Sequence, residues 1–161
     1  MMTFLNAKFD QIGADKFLKL APILCLLSDI ILLYYINNVY LAKALTINAL
    51  APAFALQGIN INSLPVHELN SFLEASKMMV SNIFWMILLY NGVIYACCFK
   101  GYRWAMKYVR GYALTGSILS ILEILILGVS EKILNPYTVV TTFIYLFCYF
   151  GFKRFKKRVE Q

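Results

Sequence analysis

The chain has 161 residues, of which 61% are hydrophobic and only 14% charged, with a formal net charge of +7. An ordinary soluble domain carries about 25% charged residues and, at about 150 residues, buries only about 70% of its surface, so this much apolar surface has nowhere to go in water. The balance excludes disorder, collagen, coiled coil and an ordinary soluble enzyme, and points to a bilayer as solvent.

In chain order, Lys8, Lys16 and Lys19 lead into an apolar run that begins at Phe17. A signal-peptide core is about 7–15 residues long, whereas this run reaches residue 45, so it reads as a retained membrane span. It is broken only by Asp29 and by the Asn37-Asn38 pair. The connection 46–76 is mostly apolar, with Pro52, Gly58 and Pro65 as interruptions. This pattern predicts short helical pieces at the membrane interface or over the mouth of a bundle, not disorder. A second span covers 77–99, and Ser71-Phe72-Leu73-Glu74 before it has the form of a capping box that would start its helix. The third covers 105–129, with Gly128 placed as a terminating glycine, and the fourth 135–152, opened by Asn135-Pro136. Gly92 and Gly111 lie inside helices, where membrane proteins use glycine for close packing. The fold class expected is an all-α integral membrane protein, one four-helix bundle over residues 1–161 ending in a basic tail, 153–161.

Topology follows from the basic residues. Twelve of the fifteen lie in the N-terminal arm, in the turn holding Lys100, Arg103, Lys107 and Arg110, or in the tail; only Lys43, Lys77 and Lys132 fall on the other side. Positive charge stays in the cytoplasm, which puts both termini there, as four spans require. The tail residues Lys153, Arg154, Lys156, Lys157 and Arg158 form a juxtamembrane cluster suited to anionic lipid headgroups. Short loops with this bias fit a bacterial inner membrane.

Two carboxylates fall well inside the spans, Asp29 and Glu123. A charge there costs from about 2.5 kcal/mol upward, which marks both as functional candidates. Counted from the cytoplasmic ends of their runs, their depths differ by about 4–5 Å, so the two could face each other and share a proton or a cation. Asn91 and Tyr95 lie one turn apart on the second span, and Thr141 and Tyr145 sit on the fourth; with Ser120 they are candidates to line a polar interior. Ala113, Gly116 and Ser120 share one face of the third span, and Gly116-x-x-x-Ser120 is a small-residue seam for helix packing.

Counting excludes other chemistry. His67 is the only histidine, and Cys25, Cys97, Cys98 and Cys148 all sit within apolar runs without metal-ligand spacing. No metal, cofactor, catalytic constellation or nucleic-acid partner is expected; the partners expected are the lipid bilayer and a membrane protein or a second copy of the chain. Three readings of function remain. One is an interaction or accessory subunit working through helix packing and its outer apolar segment. Another is a proton- or cation-coupled transport protein built on Asp29 and Glu123. The third is a membrane enzyme acting on a lipid-soluble substrate.

Overall fold

The computed structural model describes residues 2–59, 64–131 and 135–156. Helix α1 spans Met2–Ile12 and α2 Ala14–Tyr35; a π-helical turn over Ile36–Tyr40 leads into the single turn α3, Leu41–Ala44. Then come α4 (Ile47–Leu56), α5 (Val66–Phe99), α6 (Arg103–Glu131) and α7 (Pro136–Arg154). No strand occurs among the described residues. Three helical runs are long and apolar enough to cross a membrane, Ala14–Ala44, Val66–Phe99 and Arg103–Ile126. At 1.5 Å per residue α7 is about 28 Å long, but its threonines, tyrosines and terminal bases dilute it, and it does not join these three.

The chain forms two compact units, Met1–Leu32 with Leu88–Gln161, and Leu33–Ile87. In the first, α2 sorts its residues by helical period. Phe17, Ala21, Cys25 and Ser28 are fully buried, while Ile23, Leu27 and Ile30 are exposed. The small inward residues let α7 run close and antiparallel. Gly151 lies at the Phe17 ring, the Cys148 thiol donates to the Ala21 carbonyl at 3.7 Å, and Ser28 Oγ donates to the Thr141 carbonyl at 3.5 Å. Helix α6 meets α7 where Gly116 faces the Tyr145 ring, 3.1 Å from where a Cβ would stand. Ala113 and Ser120, on the same face of α6, are buried. Outward, α6 shows Ile118, Leu119, Leu122 and Leu125. Exposed aliphatic rows beside buried small and polar residues suit a lipid surround.

Helix α1 is a feature the sequence reading treats only as an arm. It reverses at Gly13 (φ 79°) and inserts Phe9 among Phe17, Phe147 and Phe155, with ring centroids 5.5, 5.0 and 6.5 Å away. Arg154 Nε and Nη2 donate to Asp10 Oδ1 and Oδ2 at 3.1 and 2.9 Å, so α1 is also tied to the end of α7. This ion pair holds the Arg154 guanidinium above its ordinary pKa.

In the second unit, Thr46 Oγ1 accepts from the Ala49 N–H at 3.2 Å and caps α4. Phe54 of α4 packs edge-on against Phe72, 5.9 Å between centroids. The π turn falls on Asn37-Asn38, where Asn38 Nδ2 donates to the Tyr34 carbonyl at 3.0 Å.

Several expected boundaries move. Helix α5 starts at Val66, not at the Ser71–Glu74 box, because the Pro65 carbonyl already accepts from the Glu68 and Leu69 N–H groups at 3.0 and 3.2 Å. The 71–74 segment then continues a helix begun earlier. Helix α6 passes through Gly128 to Glu131. Gly92 and Gly111 do lie in helices, but a Cβ on either would meet nothing within 4 Å, so neither allows a close approach; Gly116 and Gly151 do. Asn135-Pro136 opens α7 as expected, with Asn135 Oδ1 accepting from the Tyr137 N–H at 3.0 Å. In the tail, Lys153, Arg154 and Lys156 are described; Lys157 and Arg158 lie outside the described residues.

Candidate functional site

Asp29 lies on the buried face of α2, 7% exposed. Cys25, one turn before it, and the adjacent Ser28 are buried and small, which leaves the carboxylate open to long side chains from the neighbouring helices. Four of these donate to it. On Oδ2, Tyr95 Oη donates at 2.7 Å and Asn91 Nδ2 at 3.2 Å, both from α5. On Oδ1, Tyr112 Oη of α6 donates at 3.2 Å, and Tyr145 Oη of α7 donates as well. One carboxylate on α2 is therefore tied to each of the other three long helices.

The donors are themselves ordered. Asn91 Oδ1 accepts from Tyr108 Oη at 3.3 Å. The Tyr112 ring stands edge-on to Tyr145 at 6.0 Å and stacks on Tyr108 at 6.1 Å, with 12° between planes. All four partners of the carboxylate are neutral side chains. A carboxylate presents about four lone-pair sites, and here every one has a donor. This is the hydrogen-bonding complement of the ionised form. The protonated form is itself a donor, so on protonation at least one of the four must turn away.

Glu123 takes separate partners. Its Oε1 accepts from Thr138 Oγ1 at 3.2 Å, and Thr138 Oγ1 in turn accepts from Asn135 Nδ2 at 2.8 Å. It sits beside the first turn of α7, where the helix dipole favours a negative charge. Tyr112, which reaches Asp29, precedes Glu123 by eleven residues on α6, about 16 Å along the axis. The expected pairing of Asp29 with Glu123 is thus replaced by two separate arrangements. Depth along a helix does not say which neighbour a side chain turns to: Asp29 turns to α5 and its tyrosine-bearing neighbours, Glu123 to the α7 start.

Of the other residues singled out from the sequence, Asn91, Tyr95 and Tyr145 join Asp29. Ser120 and Thr141 are buried but take no part in its bonds; Thr141 Oγ1 donates to the Thr138 carbonyl at 3.0 Å within its own helix. Tyr108 and Tyr112 were missed. Their signal was the same one-turn spacing that marked Asn91 and Tyr95. No group of three or more metal-ligating side chains occurs among the described residues.

No family model, curated protein or solved structure matches this chain.

Proposed function

We propose that the chain is a small multi-pass membrane protein of four spans, with both ends in the cytoplasm of a bacterial cell and the bundle in its inner membrane, and that it couples to protons or cations through Asp29. Support for the fourth span is the antiparallel seat of α7 between α2 and α6, with Val140 and Phe143 exposed on its far side. Support for the termini is the packing of α1 against the end of α7, alongside the one-sided distribution of basic residues. The observation that carries the functional reading is the Asp29 carboxylate held by four neutral donors from three helices. A carboxylate so placed without a cationic side chain among its partners exchanges a proton or a mobile cation, and doing so rearranges bonds to every long helix at once. Four helices barely enclose a path, so the working unit is an oligomer or a complex.

Infrared difference spectroscopy across a pH titration tests this. Wild-type protein in lipid shows a carboxylic-acid C=O band that grows as pH falls; Asp29→Asn lacks it, and Glu123→Gln keeps it. A wild-type protein with no titrating band assignable to Asp29 refutes the reading.

A second reading, an accessory subunit working by helix packing, is favoured by one observation. Met78, Met79, Trp85 and Met86 on α5 are all at least half exposed. Methionine is a soft, adaptable contact residue suited to a partner helix. Under this reading Met86→Asn removes co-purification of a membrane partner after mild solubilisation; unchanged recovery rejects it.

A further inference from the structure

The outward face of α6 changes its chemistry along its length. Arg103, Trp104 and Lys107 begin it, and all three are exposed. On the same side of the helix, by its period of 3.6 residues, follow Gly111, Leu114, Ile118 and Ile121, again exposed. Gly101 (φ 87°) turns the chain just before α6 and sets an exposed Lys100 beside the two bases. No carboxylate pairs with Lys100, Arg103 or Lys107 among the described residues, and residues 88–122 include no Asp or Glu. The tail differs, because there Arg154 is already committed to Asp10. Gly111 marks the change from basic to aliphatic. A Cβ on it would meet nothing within 4 Å, so packing inside the protein does not call for glycine there, and the missing side chain leaves a notch on the outer surface.

We infer that this face of α6 binds an anionic phospholipid of the surrounding leaflet, with the phosphate on Arg103 and Lys107 and an acyl chain laid over Gly111 and along Leu114, Ile118 and Ile121. Arg103 and Lys107 stand one turn apart, so one phosphate reaches both; the guanidinium can hold two of its oxygens at once and the ammonium adds a second charge. Trp104 is 56% exposed at the same level, where an amphipathic ring sits between headgroups and chains. From Gly111 to Ile121 is ten residues, about 15 Å along the axis, which is half of a hydrocarbon core about 30 Å thick and so the depth of one leaflet. A soluble anion would match the bases alone; a lipid matches the bases, the notch and the aliphatic row in the order in which they occur. The site stands apart from Asp29 and holds whether or not that carboxylate titrates.

Trp104 reports on the site directly. In full-length Trp85→Phe protein it is the sole tryptophan, and its fluorescence is followed in neutral-detergent micelles as phosphatidylglycerol brominated near the glycerol is added. Saturable quenching is expected, with phosphatidylcholine brominated in the same way at least tenfold weaker. Lys107→Gln weakens the anionic lipid about fivefold, the effect of one charge near an anionic headgroup, and leaves phosphatidylcholine unchanged. Gly111→Leu keeps every charge and fills the notch, and weakens the anionic lipid about threefold. Lys153→Gln, in the tail, leaves quenching as it was, and millimolar inorganic phosphate does not relieve it. Because Lys107 and Gly111 are both exposed, the two variants test charge and notch separately, and either decides if the other fails to fold. Equal quenching by the two lipids, wild-type affinity in a folded Lys107→Gln or Gly111→Leu, or an equal loss in Lys153→Gln overturns the inference. Relief by inorganic phosphate overturns it too, since the bases would then belong to a soluble anion.

Discussion

Replacing Tyr145 and Tyr112 by phenylalanine, one at a time, measures the asymmetry of the Asp29 site directly. Both changes delete one hydroxyl and keep the ring, so packing is conserved and the loss reports the hydrogen bond. A hydrogen bond to a charged group contributes about 1.5–3 kcal/mol, although neutral bonds between membrane helices average only about 0.6 kcal/mol. Tyr145 is 1% exposed and donates to Oδ1 out of contact with the surround. Without it, Oδ1 keeps only the 3.2 Å bond from Tyr112, so Tyr145→Phe is expected to cost about 2 kcal/mol. Tyr112 is half-buried and its bond is long, so Tyr112→Phe is expected to cost less than about 1 kcal/mol. The assay is unfolding of the purified protein in mixed micelles titrated with dodecyl sulfate, followed by far-UV circular dichroism. Each variant is also made in the Asp29→Asn background, because only the double-mutant coupling isolates the bond to the carboxylate. The coupling should be clearly larger for Tyr145 than for Tyr112. Equal losses, or no coupling of Tyr145 to Asp29, would refute the ranking of the buried bond above the half-buried one.

Other perturbations probe the frame around the site. Gly151→Ala puts a Cβ into the Phe17 ring, and the most distant of the three nearest ring atoms would still be only 2.8 Å away. Phe17 is hemmed in by Phe9, Phe152 and Phe155 at 5.5, 5.5 and 5.6 Å, so overpacking should cost about 3 kcal/mol in the same unfolding assay. Gly111→Ala meets nothing within 4 Å and should instead stabilise by about 0.5–1 kcal/mol. Phe9→Ala, at a residue 1% exposed, should cost about 3–5 kcal/mol, whereas Asp10→Asn, which breaks an exposed ion pair, should change stability by less than about 1 kcal/mol; limited proteolysis between α1 and α2 reads the same contrast. Asn135→Ala removes the α7 cap and should cost about 1 kcal/mol, measurable as a shift in the unfolding midpoint.

Most of the fold was legible because its strongest determinant is local. Runs of apolar residues, with breaks at Asn37-Asn38 and Asn135-Pro136, locate the long helices to within a few residues at most of their ends, and those breaks reappear as a π turn and a capped helix start. The start of α5 was misplaced for a local reason, the Pro65 carbonyl, but the other failures required knowing what lies across space. Gly151 looks no different from Gly111 in the sequence, yet one receives a phenylalanine ring and the other nothing. Phe9 reads as part of a short arm until Gly13 turns it back onto α7.

The candidate site divides the same way. Asp29 stood out because charge is rare in an apolar run, and that signal needs no partner. Glu123 stood out equally, and its depth suggested a pair, but depth carries no information about rotation around the helix axis. The tyrosines are the instructive case. With eleven in the chain, a single tyrosine says little, since the residue belongs at membrane interfaces as well as in polar interiors. Tyr108 and Tyr112 on α6 repeat the one-turn spacing of Asn91 and Tyr95 on α5, and the two pairs meet with Tyr112 on the carboxylate and Tyr108 on Asn91. A buried acid in a chain this poor in charge must be satisfied by neutral donors. Helix faces carrying two such donors at i and i+4 are therefore good candidates to bring against it, although the single donor Tyr145 of α7 carries no such mark.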